Sequence, residues 1–179
     1  MTTILLVRHG ETDWNAERRV QGHSDTPLND TGRAQARALA EELADEGIDA
    51  VYSSDLLRAH ETARIVAKAR GLEVMSIRDL RERHFGTWEG LTDDEIFARF
   101  PEARNGSWGD GESREEMAGR VLQALQRIAE AHEGGRVLVV SHGGPVRAAL
   151  AACGAADPER VDNCHVVRIE VEGGVIRSE

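Results

Sequence analysis

The chain has 179 residues, 40% of them hydrophobic and 30% charged, the balance of a soluble globular protein with room for one domain and a sizeable core. A formal net charge of −10 and a pI near 5.2 speak against a nucleic-acid partner or an anionic membrane surface, while leaving room for a local cationic pocket. There is no apolar run of the roughly 18 residues a membrane span needs and no leader-like N-terminus, and the two cysteines, Cys153 and Cys164, lack metal-type spacing. The expectation is a reduced, cytoplasmic protein, monomeric or homodimeric.

In chain order, residues 4–7 (ILLV) read as a buried strand. The stretch NDTGRAQARALAEELADEG, residues 29–47, reads as a helix capped by Asn29 or Asp30 and stopped by Gly47. Residues 50–53 read as a short strand, 56–70 as a second helix ended by Gly71, and 73–76 as a weak strand. A stretch rich in Gly, Asp and Glu follows over residues 78–111, a lid-like insertion with a short helical pattern at 93–100. Residues 112–133 form an amphipathic helix pattern carrying Met117, Val121, Leu122, Leu125 and Ile128 on its apolar face. Residues 136–140 are an apolar strand, turning through SHGG into a helix from Pro145. Residues 166–171 and 175–177 read as a terminal hairpin turning at Gly173-Gly174. Strands alternating with helices predict an α/β layered fold with a mainly parallel sheet.

In such a fold ligands gather at the carboxyl ends of the strands, where LLVRHG and VLVVSHG each place a histidine before a glycine. A single histidine there reads as readily as packing; two matched ones point to a site. There is no HExxH or HxxxH motif, and Arg8 beside His9 would repel a metal, so no metal is expected. A GxSxG elbow is also absent. Arginine beside histidine suits an anion: the guanidinium fork matches phosphate oxygens, and neutral imidazole is a competent nucleophile.

The stretch LLVRHGETDWN resembles the RHG signature of the histidine phosphatase superfamily. The resemblance runs through RRVQGHSDTPLNDTGRAQA, VYSSDLLRAHETA, LRERHFGTWEG, WGDGES and VLVVSHGGPVR, in order and over nearly the whole chain. It implies a phosphoglycerate mutase-like fold, three-layer α/β/α with a mainly parallel sheet and an antiparallel edge strand, and His9 as the nucleophile that becomes phosphohistidine. Arg8, Arg58 and His142 would line the phosphate pocket, and Glu82 would be the general acid, with Glu89 in the same loop as the competing acid. Thr12, Asn15, Gln21, Gly22 and Gly143 would contact the phosphate or substrate, while Glu11 reads as structural. Taken alone, Arg58 reads more readily as a solvated surface arginine and Glu82, between Arg81 and Arg83, as a salt-bridged surface residue.

His60 and His132 read as surface residues and His165 as packing; His23 and His84 flank the substrate segments. Phe85, Trp88 and Trp108 are candidates either for the pocket wall or for the core. The short loop HFGTWEGLTDDEIFARFP is similar to that of small phosphatases, including the alpha-ribazole phosphatases, and lacks the insertion of the glycolytic mutases. The resemblance therefore implies metal-independent hydrolysis of a small phosphorylated metabolite without a cofactor. Phosphoglycerate mutase-type transfer and a non-catalytic phosphate-binding module are the alternatives.

Overall fold

The computed structural model describes residues 1–105, 109–154 and 161–178. Six strands form one sheet: β1 (Thr2–Arg8), β2 (Ala50–Ser53), β3 (Val74–Ser76), β4 (Arg136–Ser141), β5 (Val166–Glu172) and β6 (Val175–Ser178), in the order β3-β2-β4-β1-β5-β6. Strands β3, β2, β4 and β1 run parallel, β5 runs against β1, and β6 against β5. The antiparallel strand thus lies one place in from the edge, and its hairpin partner β6 forms the edge itself.

The helices are α1 (Asp13–Ala16), α2 (Asp30–Glu42), α3 (Leu57–Lys68), α4 (Asp93–Arg99), α5 (Arg114–Ala131) and α6 (Gly143–Ala152). Short 3-10 turns at Arg78–Leu80, Gly86–Trp88 and Pro101–Asn105 join them through the long connection after β3. Sequence supplies the caps: Asn29 accepts from the N–H of Gly32 to start α2, and Ser113 with Glu116 forms a capping box on α5.

Central strand β1 shows why an unbroken apolar run belongs in a parallel sheet. Ile4 and Leu6 face one layer with Val121, Leu125 and Ile128 of α5 and Val146 of α6. Leu5 and Val7 face the other, with Leu39 of α2 and Ala59, Ala63 and Val66 of α3. All four β1 side chains are fully buried.

The chain leaves β1 toward the α2 face and β4 toward the α6 face, although the two strands are neighbours in register from Thr3↔Arg136 to Arg8↔Ser141. Connections that part to opposite faces open a crevice beyond the strand ends, the place where such sheets bind ligands. Helix α6 begins at Gly143, two residues before the expected Pro145, because the chain is already helical at the residue after His142. Helix α1 was not legible as a helix: it is one turn held by a capping box between Thr12 and Asn15. His165, expected to pack, is exposed just ahead of β5.

Candidate active site

Three adjacent parallel strands end at one edge and bring polar side chains together there: Arg8 and His9 from β1, Ser141 and His142 from β4, and Ser54 just past β2. The ladder runs on beyond the strands, with His9 N–H donating to Ser141 O at 3.0 Å and Ser54 N–H to Val140 O at 2.9 Å. The two imidazoles meet edge to face, ring centroids 5.1 Å apart. Arg58 enters from the first turn of α3. It is tied to His9 through Thr62 one turn on, whose hydroxyl donates to Arg58 O and accepts from the N–H of Gly10. This needs a close approach of α2 to the loop after β1: a Cβ at Gly10 would stand 2.5 Å from Gly32 O.

His9 is buried, and its Nδ1 lies 2.6 Å from Gly10 O. A carbonyl can only accept, so Nδ1 carries the proton and the lone pair sits on Nε2. Burial, reinforced by the Arg58 and Arg8 cations, holds His9 well below the usual imidazole range, which keeps the ring neutral at neutral pH. His142 is lowered in the same way, by burial first and then by Arg58, His9 and Arg8.

The His142 tautomer follows from Ser54. Its hydroxyl oxygen accepts from Leu56 N–H at 3.3 Å and lies 2.8 Å from His142 Nε2. Donation of the hydroxyl proton to Nε2 pairs the Ser54 O–H and puts the imidazole proton on Nδ1, the tautomer that a bound anion would favour. That Nδ1 is buried without a hydrogen-bond partner among the described residues, as is Arg58 Nε. The other Arg58 donors hold the loop after α1, Nη1 on Ser24 O and Nη2 on Gly22 O, each at 2.8 Å. Burial pulls Arg58 down to about 10, which still leaves it cationic at neutral pH. Two buried nitrogens without a hydrogen-bond partner among the described residues, one of them on a cation, have the chemistry to receive an oxyanion.

An open cavity of about 540 Å³ above the strand ends is lined by Arg8, His9, Asn15, Gln21, Gly22, Arg58, Glu82 and Gly143, together with Trp14, Phe85 and Arg147. It therefore gathers every expected site residue except His142 and Thr12. The buried hydroxyl of Thr12 is spent inside the loop: it accepts from Asn15 N–H and faces Gln21 Oε1 at 2.9 Å and Asn15 Oδ1 at 3.1 Å. Asn15 Oδ1 is likewise committed, accepting from Thr12 N–H, which leaves its amide Nδ2 as the donor group. Glu11 holds Asn29 Nδ2 at 3.0 Å, a structural tie.

Glu82 and Glu89 are told apart by their partners. Glu89 accepts from the N–H groups of His23, Ser24 and Phe85 and from Ser24 Oγ, pinning the acid-bearing loop to the loop after α1 and standing outside the cavity lining. Glu82 faces the cavity, its carboxylate accepting from Arg83 N–H at 2.8 Å and Gly144 N–H at 3.0 Å. Gly144 was not singled out in the sequence, yet a Cβ there would lie 2.1 Å from Glu82 Oε1. The Glu82 carbonyl is gripped from two sides, by Arg120 Nη2 of α5 at 2.8 Å and by His23 Nε2 at 2.9 Å.

His84 is exposed, its ring 4.9 Å from that of His23. His132 and His60 are half-buried, bonded to Tyr52 and to Ser53 and Ser76. Trp88 is buried near Phe100, and Trp108 lies outside the described residues. No group of three or more His, Cys, Asp or Glu suited to a metal occurs among the described residues, and none of their helices is long and apolar enough to cross a membrane.

The model of the histidine phosphatase superfamily (branch 1) matches residues 4–179. Phosphoglycerate mutase-like protein 4 of Arabidopsis thaliana is 50% identical over 155 residues, 80% of this chain and 67% of that protein. The metal-independent phosphoserine phosphatase of the same plant is 46% identical over 159 residues, 83% of this chain and 67% of the relative. Among solved structures, Bacillus stearothermophilus YhfR superposes with a TM-score of 0.91 at 37% identity, covering 99% of this chain and 95% of that one. By sequence and by fold, the chain is a phosphatase of the histidine phosphatase superfamily.

Proposed function

We propose that the chain hydrolyses a small phosphorylated metabolite through a phosphohistidine on His9, without a metal ion. The observation that carries this is the state of His9: a neutral ring whose Nδ1–H is held by Gly10 O, so that Nε2 presents its lone pair beside Arg8 and Arg58. The relative named a metal-independent phosphoserine phosphatase supports the same reading.

In the first step Nε2 attacks phosphorus and the bond from phosphorus to the ester oxygen breaks, while Glu82 gives its proton to the departing oxygen. Arg8, Arg58 and the His142 Nδ1–H hold the charge on the transferring group. In the second step water attacks the phosphohistidine and yields its proton to Glu82. The phosphorus–nitrogen bond breaks, its electron pair returns to Nε2, and inorganic phosphate leaves.

Turnover of p-nitrophenyl phosphate and a panel of phosphometabolites in excess EDTA tests the reading, together with rapid acid-free quenching to trap a base-stable phosphoenzyme. Full activity in chelator and a phosphoryl group on His9 are expected, and His9→Ala should lower kcat by roughly 10³-fold or more. Loss of turnover in EDTA, or near-normal kcat in His9→Ala, overturns it. Release of inorganic phosphate, rather than phosphoryl return to the alcohol, separates hydrolysis from mutase-type transfer.

A further inference from the structure

Strand β5 is entered through a defect in the sheet. Its ladder with β1 is regular up to Val7, which pairs with Val166. Arg8 then faces two residues instead of one: its N–H donates to His165 O at 3.4 Å, and its carbonyl accepts from Cys164 N–H at 2.8 Å. Cys164 stands at φ +57°, and a turn closes around it from His165 N–H to Asp162 O at 3.2 Å. Two residues against one, the first of them in the left-handed region, make a β-bulge of the kind that usually takes glycine. A bulge re-aims side chains, and this one brings Asn163 across from His9, the place Cys164 would hold in an unbroken ladder.

Asn163 is half-buried, and its Nδ2 lies 2.8 Å from His9 O and 3.4 Å from Asn15 Oδ1. Both partners are oxygens, so the amide gives one of its two protons to each. The first proton holds the carbonyl of the His9–Gly10 peptide, whose N–H is held from the other side by Thr62 Oγ1 at 3.1 Å. A peptide unit is planar, so a grip at both ends fixes the direction of the chain beyond it. The next acceptor along that chain is Gly10 O, which holds the Nδ1–H of the His9 ring. The second proton goes to Asn15 Oδ1, which also accepts from Thr12 N–H, so the Asn15 Nδ2 is left for the cavity that Asn15 lines. We infer that Asn163 is a positioning residue for phosphoryl transfer: through one nitrogen it sets both the ring of the nucleophile and the amide that meets the phosphate. The inference rests on the phosphatase reading of His9. Asn163 is not part of the cavity lining and acts only through His9 and Asn15.

The test is a pair of variants in the full chain, each checked for a cooperative urea transition. Asn163→Ala removes the amide without adding charge. Asn163→Asp keeps its shape and turn preference but has no proton to give at neutral pH. With p-nitrophenyl phosphate in EDTA, kcat should fall about 10- to 100-fold in both, the scale of a reacting group displaced by up to about 1 Å. In Asn163→Ala the inhibition constant of inorganic phosphate should stay within threefold of native, because Arg8, Arg58 and His142 still hold the anion. Long-range nitrogen–proton spectra should show His9 as the Nδ1–H tautomer in the native chain and as a mixture in both variants, a change that lost stability alone does not cause. Asp162→Asn, in the same turn, should leave kcat and tautomer unchanged. If one variant of Asn163 fails to fold, the other decides. A fall in kcat of less than fivefold in a folded variant, an unchanged His9 tautomer, or a phosphate constant that rises as far as kcat falls overturns the assignment and leaves the phosphatase reading standing. An equal loss in Asp162→Asn also overturns it, since the turn rather than the amide would then matter. No turnover by the native chain overturns the phosphatase reading itself, and the role of Asn163 with it.

Discussion

In the proposed reaction Ser54 acts through one proton. Its hydroxyl lies against Nε2 of His142 and biases which nitrogen is the donor, and the proposed phosphate pocket needs Nδ1–H. Ser54→Ala removes that bias and leaves Nε2 buried without its partner, so the ring can protonate on Nε2 and turn a lone pair toward the oxyanion. A fall in kcat of about 10- to 100-fold is expected, short of the loss of a complete donor because part of the population keeps the right tautomer. Long-range nitrogen–proton spectra should show His142 as the Nδ1–H tautomer in the native chain and as a mixture in Ser54→Ala, with Ser54→Thr restoring both tautomer and rate. An unchanged tautomer in Ser54→Ala, or an unchanged kcat, would sink the assignment. Nothing in the sequence pointed to Ser54. Its contact spans 88 positions and exists only because β2 lies beside β4. His9 and Arg8 were legible because a polar pair ending a core strand breaks the apolar pattern locally.

At the scale of elements, the acid-bearing loop is held in place by a helix far along the chain. Arg120 of α5 donates to the carbonyls of Asp79, Arg81 and Glu82 and forms a two-point pair with Glu112. Both partners of the pair are mostly buried. Arg120→Met should therefore cost about 1–3 kcal/mol in urea unfolding, because Glu112 loses its cation, the carbonyls of Asp79 and Arg81 lose the guanidinium donor, and that of Glu82 keeps only His23. It should also lower kcat about tenfold or more by freeing Glu82, while the inhibition constant for inorganic phosphate stays within threefold, since Arg8, Arg58 and His142 stand on other elements. Adding Glu112→Gln should recover stability without recovering kcat. Equal loss of phosphate binding and kcat would instead mean general unfolding of the site. This loop is also where sequence alone left two acids open. Glu82 and Glu89 are seven positions apart in one polar stretch, and what separates them is the set of N–H groups brought by the loop after α1 and by α6. Those elements meet only in the folded chain. The helices themselves were legible because their apolar residues recur at helical spacing and Asn29 caps α2, whereas the Ser113 cap starts α5 at Arg114, two residues after the expected start.

For the molecule as a whole, the layered fold follows from alternation of apolar strands with capped helices, but the strand order does not, since β1, β4 and β2 become neighbours through long crossovers. That order buries two imidazoles side by side beneath two arginines, and the burden on stability depends on pH. His9 and His142 stay neutral in the folded chain well below 6.5, the value at which they titrate when unfolded. Between the two values the unfolded chain binds more protons, so stability is full above about pH 7 and falls as the pH drops through 6.5. Each imidazole contributes a limiting slope of about 1.4 kcal/mol per pH unit, or about 2.7 for the pair. His23, also lowered by burial, adds in the same direction. The lowered carboxylates, among them Glu46, Asp55 and Glu112, start from values near 4, so their stabilising share is lost at lower pH still. The interval from pH 6.5 to 5 therefore isolates the histidines. Urea midpoints measured every half unit from pH 7.5 to 5 should fall along that slope at constant m, and His9→Gln with His142→Gln should flatten it, whatever the double variant costs in absolute stability. A native curve that stays level to pH 5 would show that the imidazoles carry their protons inside the folded chain. The neutral nucleophile on which the proposed phosphoryl transfer depends would then be absent.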